Sequence, residues 1–459
     1  MPVSLSAAAR AAMLGLCTMT AVPAVSAPLP EERIADDPEL TRMVEETRAE
    51  FLARRPFDRL NATVLIPSPE GGGTWLRGSY GADELQYPAS CVKLPFLAAA
   101  MHWSRENGLP YDHLDEHLRP MIEVSDNVAT GHVMDAISGT TNFQEGETGA
   151  PPYGEWLEMR RYAERALASR GLLGNQSMVT KTYPTNTGDT PNGYEGRARE
   201  ELGANMLQAG LSASLMLDIV TGGWEQEATE YMGSLLEHPR YSPHSAFGPA
   251  IPPGSVYLNK YGVAYDTLEE IAYVKFPNGR EAILSVFTNG RDRTEDEDYY
   301  VTMLSAYAEL VFERLGMYEG TGRIVLDNED EQFSASGPFS QRENKGDGYG
   351  PSFLTAPANT EASAVALFEV PAPGKYEVCV WWSDGPDRSD DARFTIHHDR
   401  GPAILPVDQQ KRGGVWVRLG EYSFTEGGMV SIAPGASSPA ALTVADAIRL
   451  FPAAEPDGD

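Results

Sequence analysis

The sequence predicts an α/β domain followed by an all-β domain. The first is an antiparallel sheet with flanking helices, split by an all-helical subdomain; the second is a separate antiparallel β domain. Three observations predict this. Helical periodicity runs from Asp37 to Arg54 and, in most of its length, from Leu114 to Gly222. Strand-like runs flank that second stretch on both sides. From Gly320 onward helical periodicity vanishes, Gly and Pro multiply, and short strands alternate with turns.

Taken in order, Asp37 to Arg54 is an amphipathic helix with Leu40, Met43, Val44, Phe51 and Leu52 near one face. Leu60 to Pro67 and Thr74 to Tyr80 are strands joined through Gly71-Gly72-Gly73. Ser90 to Trp103 is a strongly apolar helix that tolerates Pro95 in its first turn. The following helical stretch is interrupted by a polar loop, Thr180 to Arg197. After Pro252-Pro253 the period changes to that of strands at Ser255–Lys260, Glu270–Phe276 and Ala282–Thr288, with a hairpin turn at Asn278-Gly279. Tyr299 to Gly316 closes the domain as a helix. In the last third, strands are predicted at Lys375–Trp382, Ala392–His398, Val415–Leu419 and Met429–Ala433. The expected organisation is a leader over 1–27, an α/β domain over 33–318 and a β domain over 320–452.

With 459 residues, 42% apolar and 22% charged, the chain can bury more than one core. It carries 66 acidic residues against 36 Lys and Arg, a formal net charge of −30. Such a surface repels phosphate backbones and anionic lipid, which argues against nucleic-acid and membrane partners. Arg10, the apolar run Ala11 to Val25 and the small residues Val25-Ser26-Ala27 form a secretory leader. Pro23 and the run's shortness make it a poor membrane span, so a periplasmic or extracellular protein is expected. Leu14-Gly15-Leu16-Cys17 resembles a lipidation site, but the bulky Leu16 disfavours it. Past the leader only Cys91 and Cys379 remain; they fall in different predicted domains, so no disulfide is expected.

Chemistry concentrates at three places. Ser90-Cys91-Val92-Lys93 sets a hydroxyl and an amine three residues apart, on one helical face. A serine hydroxyl is a poor nucleophile until a base removes its proton, and a lysine desolvated by an apolar helix can do so. Ser125-Asp126-Asn127 begins a helical segment, where such residues also serve as a cap. Lys260-Tyr261-Gly262 lies on the first strand after the helical subdomain. Cys91 has no partner in sequence to activate it and reads as a packing residue.

In this order and context, residues from about Asp37 to Gly316 resemble the penicillin-recognising serine hydrolases, class A β-lactamases above all. The runs YPASCVKLPFLAAA, SDNVATGHVMDAISG and ANMLQAGLSASLMLDIVTGG add to the resemblance. It implies Ser90 as nucleophile, Lys93 as base, Ser125 as proton shuttle to the leaving nitrogen, and Asn127 as holder of the substrate amide. It implies Lys260 as a source of positive potential, with Tyr261 and Gly262 lining the substrate site. The backbone N–H groups of Ser90 and Val263 would form the oxyanion hole. No cofactor and no metal are implied; the substrate is a small molecule or a cell-wall peptide.

Two departures bear on the second half of such a cycle. Tyr261 stands where the family places a short hydroxyl residue for a substrate carboxylate. The stretch Lys181 to Asn186 lacks the glutamate that activates the deacylating water, and Asp189, Glu195 and Glu200 do not align with it. A rival pattern, His113-Leu114-Asp115-Glu116-His117, fits the inverted zinc-peptidase spacing, but its charged surroundings favour a solvated connector. His397 and His398 alternate across a predicted strand and cannot share a metal.

Gly320 to Pro452 resembles the golvesin C-terminal or xanthan-lyase-type module through VLDNEDEQFSASG, GKYEVCVWW, FTIHH, PVDQQ, GGVWVRLGEYSF and VADAIRL. That implies a β-sandwich and polysaccharide or cell-surface contact. Trp381, Trp382, Trp416 and Tyr422 are the aromatics available for stacking on sugars. Core packing is the better expectation for each, and the adjacent Trp381 and Trp382 must face opposite ways.

Overall fold

The computed structural model describes residues 29–55, 57–172, 192–290, 302–435 and 441–454. The expected leader over 1–27, with Cys17, and the stretch Lys181 to Asn186 with Asp189 lie outside them.

The first helix, α1 (Pro38–Arg54), begins where its residues dictate. The Asp37 carboxylate accepts from the Leu40 N–H at 2.7 Å and Pro38 follows the cap. Leu40, Val44, Thr47 and Phe51 then fall on one buried face. The sheet contains β1 (Ile34–Asp36), β2 (Arg59–Pro67), β3 (Trp75–Tyr80), β4 (Val256–Ala264), β5 (Thr267–Lys275) and β6 (Glu281–Asn289), in the spatial order β1-β3-β2-β6-β5-β4. Its two sequence halves join at the antiparallel pair β2–β6, with Thr63 opposite Ser285. Only β1 runs parallel to its neighbour. Three residues long, it carries no legible strand period.

Between β3 and β4 lie α2 (Lys93–Asn107), α3 (Asp115–Glu123), α4 (Asn127–Ser138), α5 (Tyr153–Arg160), α6 (Tyr162–Ala168), α7 (Gly193–Leu202), α8 (Ala209–Val220) and α9 (Gln226–Leu236). The polar stretch predicted as loop to Arg197 thus turns helical at Gly193. α2 and α8 bury Phe96, Leu97, Met216 and Leu217 against Leu65, Ile271, Ile283 and Phe287 of the sheet. On the opposite face α1 and α10 (Leu304–Arg314) pack Phe51, Tyr307 and Val311 against Val64, Leu268 and Leu284. Among the described residues no helix is long and apolar enough to cross a membrane.

The rest of the chain is β structure: β7 (Ile324–Leu326), β8 (Phe333–Ser336), β9 (Ser340–Glu343), β10 (Ser352–Pro357), β11 (Ser363–Glu369), β12 (Gly374–Trp381), β13 (Ala392–His398), β14 (Gly401–Val407), β15 (Val417–Phe424), β16 (Gly427–Ala433), β17 (Leu442–Ala445) and β18 (Ala447–Pro452). They form antiparallel sheets of five (β14-β13-β16-β11-β8), four (β15-β12-β18-β7) and three strands (β17-β10-β9). Val378, Val380 and Trp382 of the β12 run meet Phe394, Ile396, Val430 and Ile432 in the sandwich core. Trp381, pointing the other way, joins Trp416, Cys379 and Phe451 in the same cluster as Phe51, Tyr307 and Tyr318. The two domains therefore share one continuous apolar core. All three tryptophans are buried, so their rings are committed to packing rather than displayed for sugars; Tyr422 alone of the four is half-exposed and lies 4.9 Å from His398. Both described cysteines are buried and free.

Candidate active site

The nucleophile candidate sits on a tight turn rather than inside the helix predicted from Ser90. Ala89–Val92 forms a 3₁₀ turn that feeds α2 at Lys93. A 3₁₀ turn eclipses residues three apart, which brings the Lys93 Nζ to 3.2 Å from the Ser90 Oγ. Ala89 just before it has φ +41°, a conformation costly for a residue with a Cβ, as is the +59° of Ser125. Backbone strain flanks both hydroxyls.

Lys93 is fully buried. Its Nζ lies 2.5 Å from the Ser125 carbonyl, 2.8 Å from the Asn127 Oδ1, 3.1 Å from the Ser125 Oγ and 3.2 Å from the Ser90 Oγ. An ammonium has three protons for these four oxygens. One contact must be shared or reversed, and the reversed form, Ser90 O–H donating to a neutral amine, is what base catalysis requires. Asp126, between the two contacting residues, caps α4 by accepting from the Ala129 N–H at 2.6 Å. Cap and site thus coexist in Ser-Asp-Asn: the aspartate fixes the helix start, and its neighbours face Lys93.

Lys260 reaches the same hydroxyl from the opposite wall, its Nζ 3.2 Å from the Ser125 Oγ and 3.0 Å from the Tyr261 carbonyl. Burial pulls its pKa down to about 8, with the surrounding acidic groups opposing. Ser125 is thereby a hydroxyl bridge between two lysines. Gly262 lies where β4 crosses the nucleophile turn: a Cβ there would stand 2.7 Å from the Pro88 carbonyl and 3.0 Å from the Ser90 and Cys91 nitrogens. Only glycine allows that approach. β4 is the edge strand of the sheet, and at Gly262 that edge comes against the nucleophile turn. Cys91 sits behind this contact, its Sγ 3.2 Å from the Lys260 carbonyl, and burial raises its pKa well above the usual thiol range. It is an inert thiol.

Tyr261 follows Lys260 on β4, and its ring comes beside the Lys260 amine although strand alternation starts the two side chains on opposite faces. Its ring packs 4.9 Å from that of His244 and its face lies 4.8 Å from the Lys260 Nζ. No sequence motif surrounds His244, and only the chain's return to β4 brings it here. Desolvation, then the charge of Lys260, lower its pKa to about 4, so the ring is neutral at neutral pH. The Asn259 amide donates to the His244 carbonyl at 2.8 Å and fixes its backbone.

Of the acids considered for deacylation, Glu195 is sealed inside the helical subdomain. It pairs with Arg160 at 2.5 Å beside Trp156, and burial raises its pKa to about 7 against the pull of Arg160. Glu200 is exposed on α7. The two histidines of the zinc-like pattern part company: His113 lies beside Trp103, and His117 stacks on His132 at 4.8 Å. Among the described residues no group of three or more His, Cys, Asp or Glu is placed to hold a metal ion.

Residues 111–312 match the β-lactamase enzyme family, a span that holds Ser125, Asn127 and Lys260 but begins after Ser90 and Lys93. Residues 324–452 match the golvesin C-terminal domain. Golvesin of Dictyostelium discoideum is 28% identical over 428 residues, 91% of this chain and 73% of its own length. Xanthan lyase of Bacillus sp. (strain GL1) is 30% identical over 132 residues, 28% of this chain and 14% of that protein. A solved β-lactamase from Sphaerobacter thermophilus DSM 20745 is 18% identical, covering 60% of this chain and 98% of its own, with a TM-score of 0.41. The chain is thus similar to the β-lactamase enzyme family over residues 111–312 and to the golvesin C-terminal domain over residues 324–452.

Proposed function

We propose that the protein is an extracytoplasmic serine hydrolase that opens an amide or ester through an acyl-enzyme on Ser90. The observation that carries this reading is the buried Lys93 amine, 3.2 Å from the Ser90 hydroxyl and 3.1 Å from that of Ser125. Lys93, neutral, takes the Ser90 proton as Oγ attacks the carbonyl carbon. The oxyanion is received by the N–H groups of Ser90 and Val263, each such donor worth ~3 kcal/mol of barrier. Asn127 orients the scissile group. Ser125 passes its proton to the leaving nitrogen and is resupplied from the Lys93 side, while Lys260 holds positive potential over the exchange. Water then cleaves the ester. Small molecules or cell-wall peptides are the substrate class, and the golvesin-type domain contributes contact with a polysaccharide or cell surface.

A second reading is favoured by two specific observations. Glu195, the conspicuous buried acid of the helical subdomain, is engaged with Arg160, and Tyr261 replaces a short hydroxyl. Both support a protein that acylates and releases slowly, as a cell-wall peptidase or a β-lactam-binding sensor would. Incubation with a chromogenic cephalosporin and with a fluorescent penicillin separates the two. Turnover indicates a lactamase; stable label lost in Ser90→Ala indicates the slow form. Inertness to both, and to a general serine-hydrolase probe, would sink the catalytic reading.

A further inference from the structure

The segment that carries His244 is held at both ends by the β-sandwich domain. At its start, the buried Glu377 of β12 accepts from the Arg240 guanidinium at 2.6 Å and from the Tyr241 hydroxyl at 2.8 Å. Arg418 of β15 closes on the same carboxylate at 3.1 Å. At its end, the fully buried Arg449 of β18 donates to the Pro249 carbonyl at 2.6 Å and pairs with Glu309 of α10 at 3.0 Å.

Between these anchors the segment is tightly folded on itself. The Ser245 hydroxyl donates to the Pro239 carbonyl at 2.9 Å, and Arg240 donates to the Ile251 carbonyl. A Cβ on Gly248 would stand 1.6 Å from the Arg240 carbonyl oxygen, so its two strands of chain lie in direct contact. It also touches both walls of the active site. His238 at its root lies 3.3 Å from the Glu123 carbonyl, two residues before Ser125. His244 packs on Tyr261, between Lys260 and Gly262. The Phe247 N–H donates to Glu270 of β5 at 2.9 Å.

We infer that the β-sandwich domain is a working part of the hydrolase: Glu377 and Arg449 are positioning residues that hold the Arg240–Ile251 segment, and through His244 and Tyr261 they set the β4 edge opposite Ser90. The domain thus does more than tether the enzyme. A displacement on the order of 1 Å at a positioned group costs up to about a hundredfold in rate, and buried packed segments shift between discrete arrangements rather than yielding smoothly.

This rests on the acyl-enzyme reading, so the experiment has one arm that does not. In the full-length protein, Glu377→Gln should slow acylation of Ser90 by a serine-hydrolase probe roughly tenfold or more. His244→Ala should slow it similarly. The double variant should be scarcely slower than either alone, since both act through one path. A merely structural loss would instead add to that of His244→Ala. Independently of any chemistry, amide hydrogen exchange across residues 240–251 should quicken in Glu377→Gln while the α2 core stays protected. If the single variant does not fold, Arg240→Met with Glu377→Met removes both partners of the main pair, leaves Arg418 its contact with Glu421 at 2.8 Å, and carries the same expectations. Unchanged exchange, a wild-type acylation rate, or additive effects overturns the inference. If wild-type protein is not labelled at all, the acyl-enzyme reading fails, and exchange alone decides whether the sandwich holds the segment.

Discussion

Gly262→Ala isolates the close crossing of β4 over the nucleophile turn. The backbone at Gly262 does not have a positive φ, so alanine can adopt it and only space is at issue. The new methyl would lie 2.7 Å from the Pro88 carbonyl oxygen and 3.0 Å from the nitrogens of Ser90 and Cys91. All three are backbone atoms that cannot rotate away, so strand and turn must part by about half an ångström to restore ordinary contact. Overpacking of this kind costs ~1–3 kcal/mol of stability. The larger consequence falls on chemistry, because the displaced atoms include the Ser90 nitrogen and adjoin Val263, the two proposed oxyanion donors. Losing half to all of one donor's ~3 kcal/mol slows acylation about ten- to a hundredfold. Stopped-flow labelling by an activated ester reads the rate, and circular dichroism reads the melting point. A variant that acylates at the wild-type rate refutes the reasoning that this crossing aligns the oxyanion hole.

Four further outcomes are expected. Lys260, with its pKa near 8, should lose its charge and its contribution as pH rises past that value; kcat/KM then falls on the alkaline side, and Lys260→Arg moves the fall out of range. Stability runs oppositely: a lysine whose folded pKa lies below its ordinary 10.5 binds fewer protons folded than unfolded between the two values, so unfolding free energy rises with pH there. Trp382→Ala, removing a ring that is 1% exposed in the sandwich core, should cost ~3–5 kcal/mol in urea unfolding. Glu195→Gln should destabilise by ~1–3 kcal/mol through its bond to Arg160, yet leave the lifetime of the acyl-enzyme as it was.

Much of this was legible because the decisive signals are local. Ser90 and Lys93 meet across one turn, and the alternation of Trp381 and Trp382 follows from strand geometry alone. The long apolar periods of α1 and α2 also announce themselves. What escaped depends on tertiary contacts. β1 is too short to show a period, and β8 and β9 are so exposed and serine-rich that pairing, not composition, makes them strands. The apolar pattern places the helical start at Ser90, three residues before Lys93, because the 3₁₀ turn runs into the α-helix without a break in that pattern. His244 lies 16 residues before Lys260 with no motif around it; only the folded segment anchored by Glu377 puts it against Tyr261. Similarly, sequence could offer Glu195 as an acid near the site but could not show Arg160 already holding it.

The most direct test is intact-protein mass spectrometry after exposure to a β-lactam or an activated ester, followed by peptide mapping. A single acyl adduct on Ser90, absent in Ser90→Ala and strongly slowed in Lys93→Met, is the expected result. No adduct, or an adduct on any other residue that persists in Ser90→Ala, would contradict a serine nucleophile activated by Lys93.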